Sequence, residues 1–186
     1  MTVTDICTQL MNHHIGIIEH DTVPGIVGLM TVENAKKIIT LKKRAPNKGF
    51  IILIPNPSHL PRLTTPISTT TQTIIHRYWP GPLTIIFKKN PTISTLITGT
   101  ETTIAIRYPD HPILSTILNK INQPLLSTSA NMSGKAPSVS DIVPRVDFTF
   151  GDLTWSQNAK PSTIVDSTTT PPIIRRPGAI AVSLPD

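Results

Sequence analysis

Apolar residues run along this chain in short blocks, and the spacing inside the blocks switches between helical and extended periods. Residues 4–14 place Ile6, Leu10 and Met11 at helical spacing, which predicts a short amphipathic helix. Ile15 to Ile18 reads as a buried strand. It runs into His20-Asp21-Thr22-Val23-Pro24-Gly25, a polar turn closed by Pro-Gly. Val32 to Lys43 returns to helical spacing, with Thr31 as a cap, a basic last turn and Pro46 as a stop. Phe50 to Ile54 is continuously apolar, as in a strand buried on both faces. A helix over 71–78 and strands over 83–87 and 103–107 follow. Next come a helix over 112–121, a strand from Leu125 that dissolves into a small-polar loop, a short helix starting within Ser140 to Val143, and a last clear strand over 162–165. Arg175-Arg176-Pro177-Gly178 closes the fold. Strands and helices alternating through short connections predict an α/β domain, with residues 1–186 as one unit. A strand end that gives way to a polar loop is where open α/β sheets carry their chemistry, so the 20–25 turn is a candidate site.

Composition changes this picture little; charge changes it more. The 186 residues are 38% hydrophobic, enough for one core, and the 19 prolines sit mostly at element ends. No apolar run is long enough to span a bilayer and no leader pattern opens the chain, so a soluble cytoplasmic protein without membrane contact is expected. Cys7 is the single cysteine and the six histidines lack His-x-x-x-His spacing, which argues against a disulfide and against a dedicated metal site. The net charge is +6, and no Asp or Glu occurs between Asn34 and Thr100, a stretch holding ten Lys and Arg residues. A field of one sign implies an anionic partner, either nucleotide phosphates or RNA, although solvated surface lysines give the same count.

Four constellations carry candidate chemistry. Lys42, Arg44 and Lys48 flank a turn at a helix end, where short spacing lets cations converge on one polyanion such as a triphosphate; capping of the helix end accounts for them equally well. Ser127 to Gly134, including Ser129 and Asn131, offers hydroxyls, an amide and backbone N–H groups after a strand, the inventory for holding phosphate or carboxylate oxygens, or simply a polar turn. Thr103 and Arg107 share one face of a strand, and an Arg bracketed by apolar residues requires an anion if it is buried. Ser162 and Arg176 precede a strand and a tight turn that could close over a ligand or lie at the surface. No Gly-x-x-x-x-Gly-Lys-Ser/Thr loop, Gly-x-Gly-x-x-Gly fingerprint or Gly-x-Ser-x-Gly elbow is present. If ATP binds here, positioning and positive charge around the phosphates, helped by Mg²⁺, must do most of the catalysis.

Seven short motifs in order resemble the YrdC/TsaC threonylcarbamoyl-AMP synthase family. They are Asp21-Thr22-Val23-Pro24-Gly25, Leu41-Lys42-Lys43-Arg44 through Lys48-Gly49, Trp79-Pro80-Gly81-Pro82-Leu83-Thr84, Arg107-Tyr108-Pro109-Asp110-His111-Pro112, Ser127 through Gly134, Ser162-Thr163-Ile164-Val165-Asp166 and Arg176-Pro177-Gly178-Ala179. The resemblance implies a YrdC-like twisted mixed sheet with flanking helices and a basic concave face. It implies a nucleotidyltransferase that forms L-threonylcarbamoyladenylate and pyrophosphate from L-threonine, bicarbonate and ATP with Mg²⁺. Transfer proteins then place the threonylcarbamoyl group on tRNAs reading codons that start with A. Carried over by position, Lys42, Arg44, Lys48, Thr103, Asn131 and Arg176 would bind ATP, and Thr22, Arg107, Ser129 and Ser162 threonine. No general base is assigned; a carbamate nucleophile needs none. The chain departs from the family pattern at Glu19-His20, Pro24, Ala45-Pro46 and Val139, mostly around the threonine side.

A competing expectation is a module of the same fold that binds tRNA or another structured RNA without synthase activity. The basic middle third favours it, whereas two Trp, two Tyr and four Phe offer few stacking platforms for single-strand readout.

Overall fold

The structure, a computed structural model, describes residues 1–132, 138–154 and 158–184. The chain runs α1 (Val3–Met11), β1 (Gly16–Ile18), β2 (Gly25–Leu29), α2 (Val32–Lys42), β3 (Ile51–Leu53), α3 (Leu60–Leu63), α4 (Thr69–Tyr78), β4 (Leu83–Lys88), α5 (Thr95–Thr98), β5 (Thr103–Arg107), α6 (Pro112–Ile121), β6 (Leu125–Ser129), β7 (Phe148–Phe150), β8 (Thr163–Asp166) and β9 (Ile173–Arg176). Among the described residues the nine strands form one mixed sheet in the order β7-β1-β2-β6-β3-β5-β4-β8-β9. β1 with β7, β3 with β5 and β4 with β8 pair parallel; the other neighbours pair antiparallel.

The period-2 alternation of the strands separates two faces. Ile17, Ile26, Ile52, Ile85, Ile104, Ile106, Leu126 and Val165 point to one face, where they pack with Ala35 and Ile38 of α2, Ile74 and Ile75 of α4, and Trp79. Ile18, Val27, Leu29, Leu53 and Leu125 point to the other face. There α1 covers them with Ile6, Cys7 and Leu10, and α6 with Leu114, Ile117 and Leu118. The helices over this second face do not extend across Ala105, Ser127 and Ile164, which line a cavity instead. β5 shows the division within five residues: Ile104 and Ile106 enter the core while Thr103, Ala105 and Arg107 line the cavity.

The Thr31 cap matches its sequence signal, and His111 adds one that the sequence reading does not name. Thr31 Oγ1 accepts from Asn34 N at 3.2 Å, and His111 Nδ1 accepts from Leu114 N at 3.4 Å. The chain leaves α2 through Lys43 in the left-handed region (φ 48°), which turns Arg44 back toward the sheet. The short helix expected to start within 140–143 is a 3₁₀ turn over Val143–Arg145 with Pro144 inside it, preceded by turns at 140–142. The sequence pattern assigns no strand to Gly25–Leu29, yet β2 is fully buried and pairs with both β1 and β6. Its glycines weaken the strand signal, and Gly25 is required because a Cβ there would meet the His20 ring at 2.6 Å.

Candidate active site

A cavity of about 610 Å³ opens on the uncovered part of the sheet. Its walls come from strand ends and loops far apart in the chain: Thr22 after β1, Arg44 and Gly49 before β3, Thr103 and Arg107 on β5, Ser127, Ser129 and Asn131 at the end of β6, and Ser162 and Arg176 beside β8 and β9. The approach of the 49 and 99 loops is close, since a Cβ on Gly49 would lie 1.9 Å from Thr98 O. That contact brings Thr98 and Thr100 to the rim.

Arg44 is buried and held at fixed geometry. Its Nη2 donates to Gly49 O at 2.7 Å and to Lys48 O, its Nη1 donates to Thr128 Oγ1 at 3.1 Å, and its guanidinium carbon sits 4.8 Å from the centre of the Phe50 ring. The Nε–H is buried without a partner among the described residues. Arg176 shows the same pattern: Nη2 donates to Ser162 O at 2.8 Å, and Nε is buried and unpaired among the described residues. Burial pushes both guanidiniums below the usual Arg value. Two cations held on the lining of one cavity suit an anion.

Lys42 lies beneath this wall, 3% exposed, and donates through Nζ to Ser129 O and, at 3.5 Å, to Asn131 Oδ1. Ser129 Oγ also donates to Asn131 Oδ1, at 2.6 Å. Burial first, and Arg44 second, push the Lys42 ammonium down to about 8. The unfolded chain holds this proton up to about 10.5, so between pH 8 and 10.5 it binds more protons than the folded one. Stability attributable to Lys42 is therefore fully present above pH 10.5 and is lost as pH falls through 8, a span of about 3 kcal/mol at most. Urea unfolding of wild type and Lys42→Met from pH 7 to 10.5 checks this. The wild-type midpoint should rise relative to the variant over that window, and parallel curves would refute the assignment.

Arg107 is 3% exposed and forms an ion pair with Asp21. Its Nε donates to Gly81 O at 3.0 Å and its Nη1 to Thr22 Oγ1 at 3.1 Å. The anion that a buried Arg at this position requires is thus in the 20–25 turn. Ser162 is buried against Thr84, with hydroxyl oxygens 2.8 Å apart.

Eight of the ten residues singled out from sequence line the cavity: Thr22, Arg44, Thr103, Arg107, Ser129, Asn131, Ser162 and Arg176. Lys42 reaches two of these from behind the wall. Lys48 is exposed and does not line the cavity; its carbonyl, not its ammonium, meets Arg44. Ser133 and Gly134 of the polar loop lie outside the described residues. The sequence reading passed over His20, Ser127 and Thr128 as individual site residues. His20 faces the cavity, and its place two residues before Thr22 in a polar turn was the available signal.

The family model described as telomere recombination, Sua5/YciO/YrdC, matches residues 8–178. The threonylcarbamoyl-AMP synthase of Pyrococcus abyssi is 32% identical over 167 residues, covering 86% of this chain and 49% of that protein. The threonylcarbamoyl-AMP synthase of Pseudoalteromonas atlantica is 38% identical over 106 residues, covering 56% of this chain and 57% of that one. The crystal structure of P. abyssi Sua5 complexed with L-threonine superposes with a TM-score of 0.86 at 27% identity, over 95% of this chain and 54% of that one. The chain spans about half the length of these curated relatives. With a mixed sheet of the same architecture and a match along nearly its whole length, this chain belongs to the Sua5/YciO/YrdC family.

Proposed function

We propose that residues 1–186 act as one domain that adenylates a carbamoylated threonine. L-threonine, bicarbonate and ATP yield threonylcarbamoyl-AMP and pyrophosphate. The observation that carries this reading is the convergence of Arg44 and Arg176, two cations from distant loops, on the lining of one cavity. In the reaction the threonine amine attacks the bicarbonate carbon, a carbon–oxygen bond breaks, and water leaves with the amine proton to give a carbamate. A carbamate oxygen attacks the α-phosphorus, the bond from that phosphorus to the β-phosphate bridge breaks, and pyrophosphate leaves with the electron pair. Arg44 and Arg176 hold the phosphates and offset the charge gathering on the departing group, with Lys42 adding positive potential behind Ser129 and Asn131. Thr103 and Asn131 complete the nucleotide side, and Lys48, exposed outside the cavity lining, is assigned to the outer phosphates. Thr22, Arg107, Ser129 and Ser162 form the threonine side.

Among the described residues no Asp or Glu lines the cavity and no cluster of three acidic, His or Cys side chains could hold a metal. A protein-held cation does not fit these walls, so Mg²⁺ is proposed to arrive on the ATP phosphates as part of the substrate. The product is proposed to pass to threonylcarbamoyl-transfer proteins acting in the cytoplasm on tRNAs that read codons starting with A. Among the described residues, no helix is long and apolar enough to cross a membrane.

The test is pyrophosphate release from ATP and bicarbonate, with and without L-threonine. Release that depends on threonine is the expected result. Absence of release, together with RNA retention that falls steeply with salt, would replace the enzyme with an RNA-binding module.

A further inference from the structure

His20 is a departure from the family pattern, and its surroundings fix its chemistry. The ring faces the cavity from the turn after β1, closed in by Gly25, where a Cβ would stand 2.8 Å from Nε2. Nδ1 lies 2.8 Å from Ile18 O. A carbonyl only accepts, so Nδ1 carries the proton and Nε2 is the accepting nitrogen. Nε2 lies 3.3 Å from Ser127 Oγ, which is 7% exposed and also lines the cavity. Ser127 therefore donates to His20 and keeps its own lone pairs for accepting.

We propose that Ser127 Oγ, its proton held by His20 Nε2, is an uncharged hydrogen-bond acceptor that takes the side-chain hydroxyl of the amino-acid substrate. The proposal rests on the reading of this cavity as an aminoacyl-adenylate site and adds a specificity determinant to it. Elsewhere the charged lining is donor-rich: Arg44, Arg107 and Arg176 all present N–H groups, and their charges oppose a cation. A neutral acceptor among them suits a neutral donor, and a β-hydroxyl is the one such group that separates threonine from its isostere valine. The pair is two residues from Thr22 along one loop and two residues from Ser129 along β6, on the cavity face of that strand. Burial, with smaller contributions from Arg107 and His111, holds the His20 ring down at about 4, so at neutral pH Nε2 is unprotonated and keeps accepting from Ser127. A site built to bond a hydroxyl discriminates against an analogue that lacks one, because its acceptor is then left unpaired.

The test measures kcat/KM for pyrophosphate release with L-threonine and with L-valine in wild type, His20→Leu, Ser127→Ala and the double variant. In each single variant the preference for threonine over valine should fall at least about 10-fold, through KM for threonine, with valine little changed. The double variant should lose no more than the worse single one, since the two residues act as a unit. Equal losses for both amino acids would make His20 a packing residue and overturn the proposal; Ser127→Ala, a mild change, keeps the test open if His20→Leu fails to fold. Should wild type release no pyrophosphate at all, the adenylation reading falls on its own. Calorimetric affinities for L-threonine and L-valine then decide the subsite: a threonine preference lost in His20→Leu supports it, and equal affinities in wild type overturn it.

Discussion

Replacing Arg44 with alanine is expected to lower threonine-dependent pyrophosphate release by at least about 100-fold, the scale of removing one preorganised donor from a developing charge. The expectation comes from how the guanidinium is held. Its two Nη atoms are occupied by Lys48 O, Gly49 O and Thr128 Oγ1, and Phe50 packs against its face. The charge cannot swing toward solvent, and the guanidinium stays fixed at the cavity wall. A cation fixed before substrate arrives costs no reorganisation during the reaction. The same bonds mean that Arg44→Ala also strips donors from two loop carbonyls, a loss of about 1–3 kcal/mol that the sequence alone does not foresee. Arg44→Lys separates the two effects. It keeps the charge but cannot grip the carbonyls and the ligand together, so turnover should stay well below wild type. Melting curves of both variants identify how much activity is lost to unfolding. Wild-type turnover in folded Arg44→Ala would refute the phosphate assignment.

Much of this site was legible because the strands obey a period of two. Thr103-Ile104-Ala105-Ile106-Arg107 announces both a strand and a polar face, and the structure puts that face on the cavity. The need of Arg107 for an anion was legible too, since burial of an unpaired guanidinium is untenable. That Asp21 supplies the anion was not, because the pairing spans 86 positions and depends on the sheet order. Lys42 and Lys48 looked equivalent from spacing alone. The left-handed turn at Lys43 separates them: Lys42 ends the helix facing inward, while Lys48 rides an exposed loop. β2 was hidden by its glycines. β9 was hidden because an edge strand with exposed Ile173, Ile174 and Arg175 shows no alternation of buried and exposed positions. His20 was illegible as an acceptor since only Ile18 O, met after folding, fixes its tautomer.

The ion pair between Asp21 and Arg107 sets the second large expectation. Asp21→Asn preserves shape but leaves a guanidinium that is 3% exposed without a counter-charge. Removing one partner of a buried pair costs about 3–5 kcal/mol, which at this chain length lowers the melting temperature by roughly 10 °C. Asp21 Oδ1 is itself buried and unpaired among the described residues, so the pair is imperfectly satisfied even in wild type. Replacing both members by apolar residues, Asp21→Leu with Arg107→Met, should then recover much of the lost stability, because desolvation of the two charges disappears with them. Activity should not recover. Arg107 Nη1 positions the Thr22 hydroxyl at 3.1 Å, and Met leaves that hydroxyl unheld at the part of the cavity proposed for threonine. A double variant that is stable yet has lost at least about 10-fold in threonine kcat/KM would show the pair serves placement of Thr22 more than folding. A melting temperature in Asp21→Asn within 2 °C of wild type would contradict the buried pair, and full threonine turnover in the stable double variant would contradict the role given to Arg107.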